Sequence, residues 1–288
     1  MNMLHSFSLS YLDTFLTFQS AMPDVIDYIA FVFRNLQADT SRKTERIYEI
    51  RKGDCGYSLI HKGKILFNNF PLDTAIENIE ISVELMTMSE NRGIVFFHAG
   101  AVSDIDGSIS LLFAGSGGGK TTLCSMLSQS GFHFEGDELL GISQEKPLTP
   151  LAFKKAPKLR RETIPFLRNS GRLLNITGEG GSEKVLTYWL PDEKENAIPG
   201  GRKTIRRLFF LRFSRKQPNT FSLLSPSEAI KYMIDECHDF SARKKVAICV
   251  MLDIISKAET FQIEYNHPEF AFFCIQEGWA SLLNRVRA

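Results

Sequence analysis

The sequence predicts an α/β protein, and three observations carry that expectation. Apolar runs of strand length, such as RRLFFLRFS (206–214) and TFQIEYN (260–266), alternate with segments whose apolar residues recur at helical spacing. A glycine-rich stretch, AGSGGGKTT (114–122), stands where one such run gives way to one such segment. The composition is that of a globular chain: 288 residues, 43% apolar and 23% charged, enough for one large domain or two modest ones.

Charge and cysteine usage narrow the class. A formal net charge of +1 argues for neither a nucleic-acid partner nor an acidic membrane surface. The cysteines at 55, 124, 237, 249 and 274 form no C-x-x-C pair and match no zinc spacing, so free thiols in a reducing compartment are expected. The segment MNMLHSFSLSYLDTFLTF lacks the basic start and cleavage site of a signal peptide, and no apolar run reaches membrane-span length. The expectation is a cytoplasmic protein with no membrane partner.

Taken in order, residues 1–92 read as a mixed α/β domain. DVIDYIAFVFRNL (24–36) has helical spacing, and residues 46–70 read as short strands broken at Gly53 and Gly63. Residues 72–93 read as one helix with a left-handed cap at Gly93. Residues 93–288 form the second domain. Two apolar runs around Asp104-Ile105-Asp106-Gly107 predict a β-hairpin over 93–115. A helix follows the glycine stretch and ends at Gly131, and FHFEGDELLGIS (132–143) reads as a short strand with acids at its end. The polar piece NITGEGGSEK (175–184) reads as a loop. Further on, a Ser-Pro start opens a helix at 225, helical spacing continues through 243–259, and a last helix begins at Pro268.

Ala114-Gly115-Ser116-Gly117-Gly118-Gly119-Lys120-Thr121 matches the phosphate-loop pattern G-x-x-x-x-G-K-[ST], with alanine at its first glycine. Glycines permit positive φ and let backbone N–H groups converge on an anion. Lys120 would reach the β- and γ-phosphates, the Thr121 hydroxyl would ligate Mg²⁺, and the helix start through Thr122 aims its positive end at the same site. The competing reading is a glycine-rich linker; strand before and helix after favour the cradle.

Three neighbours extend the site. A two-residue hairpin turn would set His98 opposite Gly115, and a four-residue loop would set it opposite Phe113. Either places it beside the loop, though a histidine merely satisfied within a strand reads equally well. Asp137 and Glu138 fall at the end of the next predicted strand, where one acid can serve Mg²⁺ and the other can take a proton; without the loop they would read as a solvated turn. Residues 154–172 carry seven basic residues against one acid, and 197–227 carry no acid, so Lys155, Arg160 and Arg161 are candidates for phosphate contacts.

FHAGAVS (97–103), leading by a hairpin into FAGSGGGKTTL (113–123) and then GFHFEGDELLGI (131–142), resembles the HPr kinase/phosphorylase-like P-loop kinases. Related motifs occur in phosphoenolpyruvate carboxykinases. The resemblance implies a P-loop kinase core over 93–288, with ATP and Mg²⁺ as cofactors. It places nucleotide on Gly115, Ser116, Gly117, Gly118, Gly119, Lys120, Thr121 and Thr122, metal near Thr121 and Glu138, and catalysis on Asp137, His98 and Lys120. Asp137, with His98, would orient and deprotonate a substrate hydroxyl. Glu138 stands where the family has a second aspartate, and the phosphorylase signature segment is missing. Length and the divergent first 92 residues look more like the HPr-kinase-related proteins of peptide natural-product clusters, among them lasso-peptide precursor kinases. The implied acceptor is a serine of a peptide or small protein, and a homo-oligomer is compatible with the resemblance. A small-molecule hydroxyl kinase and a nucleotide-binding regulator without transfer remain alternatives; a carboxykinase would need a much longer chain.

Overall fold

A computed structural model of the chain describes residues 3–39, 46–144, 148, 150–167, 171–178, 184–192 and 203–277. In chain order the elements are β1 (His5–Tyr11), β2 (Thr14–Ser20), α1 (Pro23–Val32), β3 (Ile47–Gly53), β4 (Gly56–His61), β5 (Lys64–Phe70), α2 (Leu72–Glu90), β6 (Ile94–Phe97), β7 (Ala99–Ser103), β8 (Ser108–Phe113), α3 (Lys120–Gln129), β9 (His133–Gly136) and β10 (Leu140–Ser143). There follow β11 (Pro150–Ala152), β12 (Lys158–Leu159), β13 (Arg172–Thr177), β14 (Val185–Leu190), β15 (Thr204–Phe213), β16 (Thr220–Leu223), α4 (Pro226–Asp235), α5 (Phe240–Ile255), β17 (Glu259–Tyr265) and α6 (Pro268–Gln276). The protein is mixed α/β.

The chain divides into two compact units. The first takes Met1–Arg92 together with Lys154–Arg161 and Gly171–Leu190, two segments that the sequence placed with the second domain. Its five-stranded sheet runs β1-β2-β3-β4-β5, and β12-β14-β13 form a second, three-stranded sheet. Strands β1 and β2 carry no expectation in the sequence, yet Leu9, Leu16 and Phe18 alternate inward along them, the period a half-buried strand requires. Helix α2 ends earlier than expected. Its last turn closes at Asn91, whose N–H and side-chain amide both donate to Thr87 O at 3.2 and 2.8 Å, and Gly93 is not in a left-handed conformation.

The second unit is built on a six-stranded sheet in the order β16-β17-β15-β8-β7-β9, with β11-β10-β6 as a smaller one. Strand β15 is parallel to both β8 and β17. Parallel strands covered on both faces read as unbroken apolar runs, and Leu111, Leu112 and Phe113 are such a run. Leu111 and Phe113 pack with Met233 of α4 and Met251 of α5 on one face. Leu112 packs with Leu123 and Leu127 of α3 and Cys274 of α6 on the other. Full burial of one such leucine contributes about 1.5–3 kcal/mol. From β8 the chain passes through α3 to β9 on one side, while β15 flanks β8 on the other. The carboxyl end of β8 is therefore a topological switch point, where open α/β sheets form a crevice.

Two local expectations are corrected. The hairpin loop has three residues: Asp104 N–H donates to Ser108 O at 2.9 Å, Gly107 N–H to Asp104 O at 3.0 Å, and Gly107 has φ 85°. Ala99 consequently pairs with Phe113, and His98 lies just outside the ladder, opposite neither Gly115 nor Phe113. Residues 132–143 form two strands, β9 and β10, in different sheets, with Asp137 and Glu138 in the turn between them. Of the expected loop at 175–184, residues 175–177 instead form the end of β13, and most of the rest, like the continuation of the last helix, lies outside the described residues. Among the described residues no helix is long and apolar enough to cross a membrane.

Candidate functional site

All of the site lies in the second unit, at the carboxyl end of β8. After Phe113 the chain enters the glycine loop, where Gly117 has φ 82° and Gly119 φ 92°, backbone that L side chains rarely adopt. Gly118 is required for a different reason: a Cβ there would sit 2.5 Å from the Ala114 Cβ. Ala114 itself has no positive φ, which is why alanine fits at the motif's first position. Tyr265, at the end of β17, donates from Oη to Gly118 O at 2.7 Å and fixes the loop from the far side.

Helix α3 opens on Lys120, so its first N–H groups, without partners inside the helix, face out of the loop. Lys120 is 5% exposed, and its Nζ donates to Ala114 O at 2.5 Å. Thr121 Oγ1 donates to Asp137 Oδ2 at 2.5 Å, and Thr122 Oγ1 lies 2.8 Å from Thr163 Oγ1. Asp137 is 2% exposed at the end of β9. Beneath it β7 comes close: a Cβ on Gly100 would lie 2.6 Å from Cys124 Sγ and 3.5 Å from Asp137 Oδ1. That close approach gives Gly100 in FHAGAVS its role.

Glu138 has φ 73°, and this turn sends the adjacent acids in different directions. Asp137 points to Thr121, while Glu138 meets His98 Nε2 at 3.0 Å with its side chain 44% exposed. His98 Nδ1 lies 2.8 Å from Glu236 Oε2, and its backbone N–H donates to Glu236 O at 2.8 Å. Hydrogen bonds to Glu138 and then Glu236 raise the His98 pKa from 6.5 to about 9, against burial and the nearby Lys120 charge. At neutral pH His98 is therefore an imidazolium donating from both nitrogens. His238, with its ring centroid 6.3 Å from that of His98, is shifted down by burial and then by the His98 charge.

Glu236 is the site residue the sequence does not announce. Helix α4 starts at a capping box, Ser225 and Glu228, and Glu236 caps its other end. Its backbone neighbours then join β6, with His238 N–H donating to Phe96 O at 2.9 Å. Nothing in SPSEAIKYMIDECHDF signals that contact.

The structure thus brings His98, Lys120, Thr121, Asp137 and Glu138 together around the loop formed by Gly115, Ser116, Gly117, Gly118 and Gly119, and turns Thr122 toward Thr163. Lys155 belongs elsewhere: it is buried in the first unit, with Nζ 2.5 Å from Glu80 and 3.3 Å from Glu84. Of the second basic run, Lys203 pairs with Glu135 at 2.6 Å and Arg212 with Glu264 at 3.4 Å.

The donor set fits a magnesium nucleotide. Loop glycines and the α3 start form an anion cradle, Lys120 supplies a cation, and Thr121, Asp137 and Glu138 supply hard oxygen donors. Among the described residues no group of three or more His, Cys, Asp or Glu could hold a metal ion by itself. Mg²⁺ in phosphoryl-transfer sites needs only about one or two carboxylates, completing its shell with waters and substrate phosphates. Scanned against models of the known protein families, the chain matches none, and the curated proteins include no match to it.

Proposed function

We propose that this chain is an ATP-dependent kinase of the HPr kinase-like kind, transferring the γ-phosphoryl group to a serine hydroxyl of a peptide or small protein. One observation carries the reading: Lys120 and Thr121 open α3 behind a loop with two positive-φ glycines, and buried Asp137 holds the Thr121 hydroxyl. A glycine linker without a ligand would have no need to bury a lysine and an aspartate at its end.

In this reading the loop N–H groups and Lys120 bind the phosphates and hold the γ-phosphoryl in line with the acceptor. The bond from the serine oxygen to γ-phosphorus forms as the bond to the β–γ bridging oxygen breaks, ADP leaves, and the hydroxyl proton passes to Asp137. Mg²⁺, held near Thr121 and Glu138, would neutralise charge on the phosphates. His98 clamps Glu138 and Glu236 in place and adds a fixed positive charge near the transferring group.

Calorimetric titration with Mg·ADP tests the cradle. Wild type should bind, and Lys120→Ala should bind at least tenfold more weakly while its unfolding is unchanged. Equal affinity in the two proteins would remove the loop from nucleotide recognition.

A further inference from the structure

One hydroxyl at the start of α3 has a buried partner with no part in the transfer step. Leu123 N–H donates to Gly119 O at 2.9 Å, so the N–H groups of Lys120, Thr121 and Thr122 precede the first bond inside the helix and stand at its open end. Of the two threonine hydroxyls there, Thr121 Oγ1 is committed to Asp137, and Thr122 Oγ1 lies 2.8 Å from Thr163 Oγ1. Thr122 and Thr163 both belong to the second unit. Thr163 precedes a short turn, Ile164–Phe166, closed by Phe166 N–H donating to Thr163 O at 3.0 Å and stiffened by Pro165. Gln129 Nε2, at the far end of α3, donates to Phe166 O at 3.3 Å. The turn is thus tied to α3 near both helix ends, and Thr163 is held in a fixed place beside Thr122.

Two hydroxyls can share one hydrogen bond in either sense, and burial decides between them. Thr163 is 4% exposed, and among the described residues its hydroxyl meets only Thr122. If Thr122 donated, the Thr163 proton would be buried without an acceptor, which is costly; if Thr163 donates, its proton is satisfied. Thr163 is therefore the donor. The proton of the half-buried Thr122 is then turned away from Thr163, and among the described residues no protein acceptor meets it. A phosphate oxygen in the cradle is an acceptor of the right kind, and a hydroxyl that already accepts a bond donates a stronger one. Resting on the nucleotide reading above, we infer that Thr163 is a positioning residue: its hydroxyl holds that of Thr122 with the proton aimed at a phosphate oxygen of the bound nucleotide.

The test is calorimetric titration with Mg·ADP of wild type, Thr163→Val, Thr163→Ala and Thr163→Ser, with the two hydroxyl-removing changes repeated in a Thr122→Val background and thermal unfolding followed on every protein. Thr163→Val keeps the shape, and Thr163→Ala removes the hydroxyl should the valine protein fail to fold. Each should weaken Mg·ADP binding about fivefold, the scale of one hydrogen bond. Thr163→Ser, which keeps the hydroxyl, should stay within about twofold of wild type. In the Thr122→Val background neither removal should weaken binding further, because Thr163 acts only through that hydroxyl. Wild-type affinity in Thr163→Val and Thr163→Ala overturns the proposal and leaves the cradle standing. An equal loss in Thr163→Ser, or the same loss with and without the Thr122 hydroxyl, also overturns it, since the turn would then matter only as packing. A wild-type protein that does not bind Mg·ADP overturns the nucleotide reading itself, and the proposal with it.

Discussion

His98 offers the sharpest quantitative prediction. Two carboxylates, Glu138 at 3.0 Å and Glu236 at 2.8 Å, hold its ring, and they lift its pKa from 6.5 to about 9. Taken in full, that rise corresponds to about 3 kcal/mol at ~1.4 kcal/mol per tenfold in protonation. Because the Glu138 side chain is 44% exposed, solvent screening reduces the contribution to about 1–2 kcal/mol. The folded-state pKa is raised, so this stability is present in full below pH 6.5 and is lost as pH climbs through 9. The perturbation is Glu236→Gln, which keeps the shape and removes one charge; the His98 pKa should fall by about one unit or more. NMR titration of the imidazole in wild type and variant measures this directly. In parallel, the stability difference between wild type and His98→Gln should shrink between pH 6.5 and 9. A wild-type His98 titrating at or below 6.5, or a stability gap independent of pH, would refute the two-carboxylate clamp.

Other perturbations probe the loop and the first unit. Tyr265→Phe removes only the hydrogen bond to Gly118 O, and should lower stability by about 1 kcal/mol, read in denaturant titration, and weaken Mg·ADP binding, read by calorimetry. Gly118→Ala should abolish nucleotide binding, since its Cβ would lie 2.5 Å from that of Ala114; adding Ala114→Gly should restore part of it, a coupling that titration of the four proteins in the cycle would read. Lys155→Met would strand Glu80 and Glu84 in the first unit at a cost of about 3–5 kcal/mol, seen as a lower denaturation midpoint; Lys155→Met combined with Glu80→Leu should recover much of it.

How much of the site could be read beforehand followed sequence distance. The glycine loop was legible because cradle, lysine and helix start are all specified within Ala114–Thr122. Asp137 was legible as the acid at the end of the next strand. The hairpin register was not, because Asp-Ile-Asp-Gly suits several loop lengths and only the Gly107 conformation distinguishes them. The contact of Glu138 with His98 was not legible either, because it follows from a positive φ that the sequence does not signal. Glu236 and Tyr265 lie 138 and 147 residues from their partners His98 and Gly118, contacts set by tertiary packing alone. The same holds for Lys154–Arg161 and Gly171–Leu190, which join the first unit through contacts distant in sequence.

Phosphoryl transfer tests the central claim most directly. Serine peptides incubated with Mg·ATP and either wild type or Asp137→Asn are weighed by mass spectrometry. The account predicts the mass gain of one phosphoryl group with wild type and a rate at least about a hundredfold lower with Asp137→Asn, the scale of a lost general base, while both proteins bind Mg·ADP alike. Equal transfer by the two proteins, or tight nucleotide binding by wild type with no transfer to any acceptor, would contradict it.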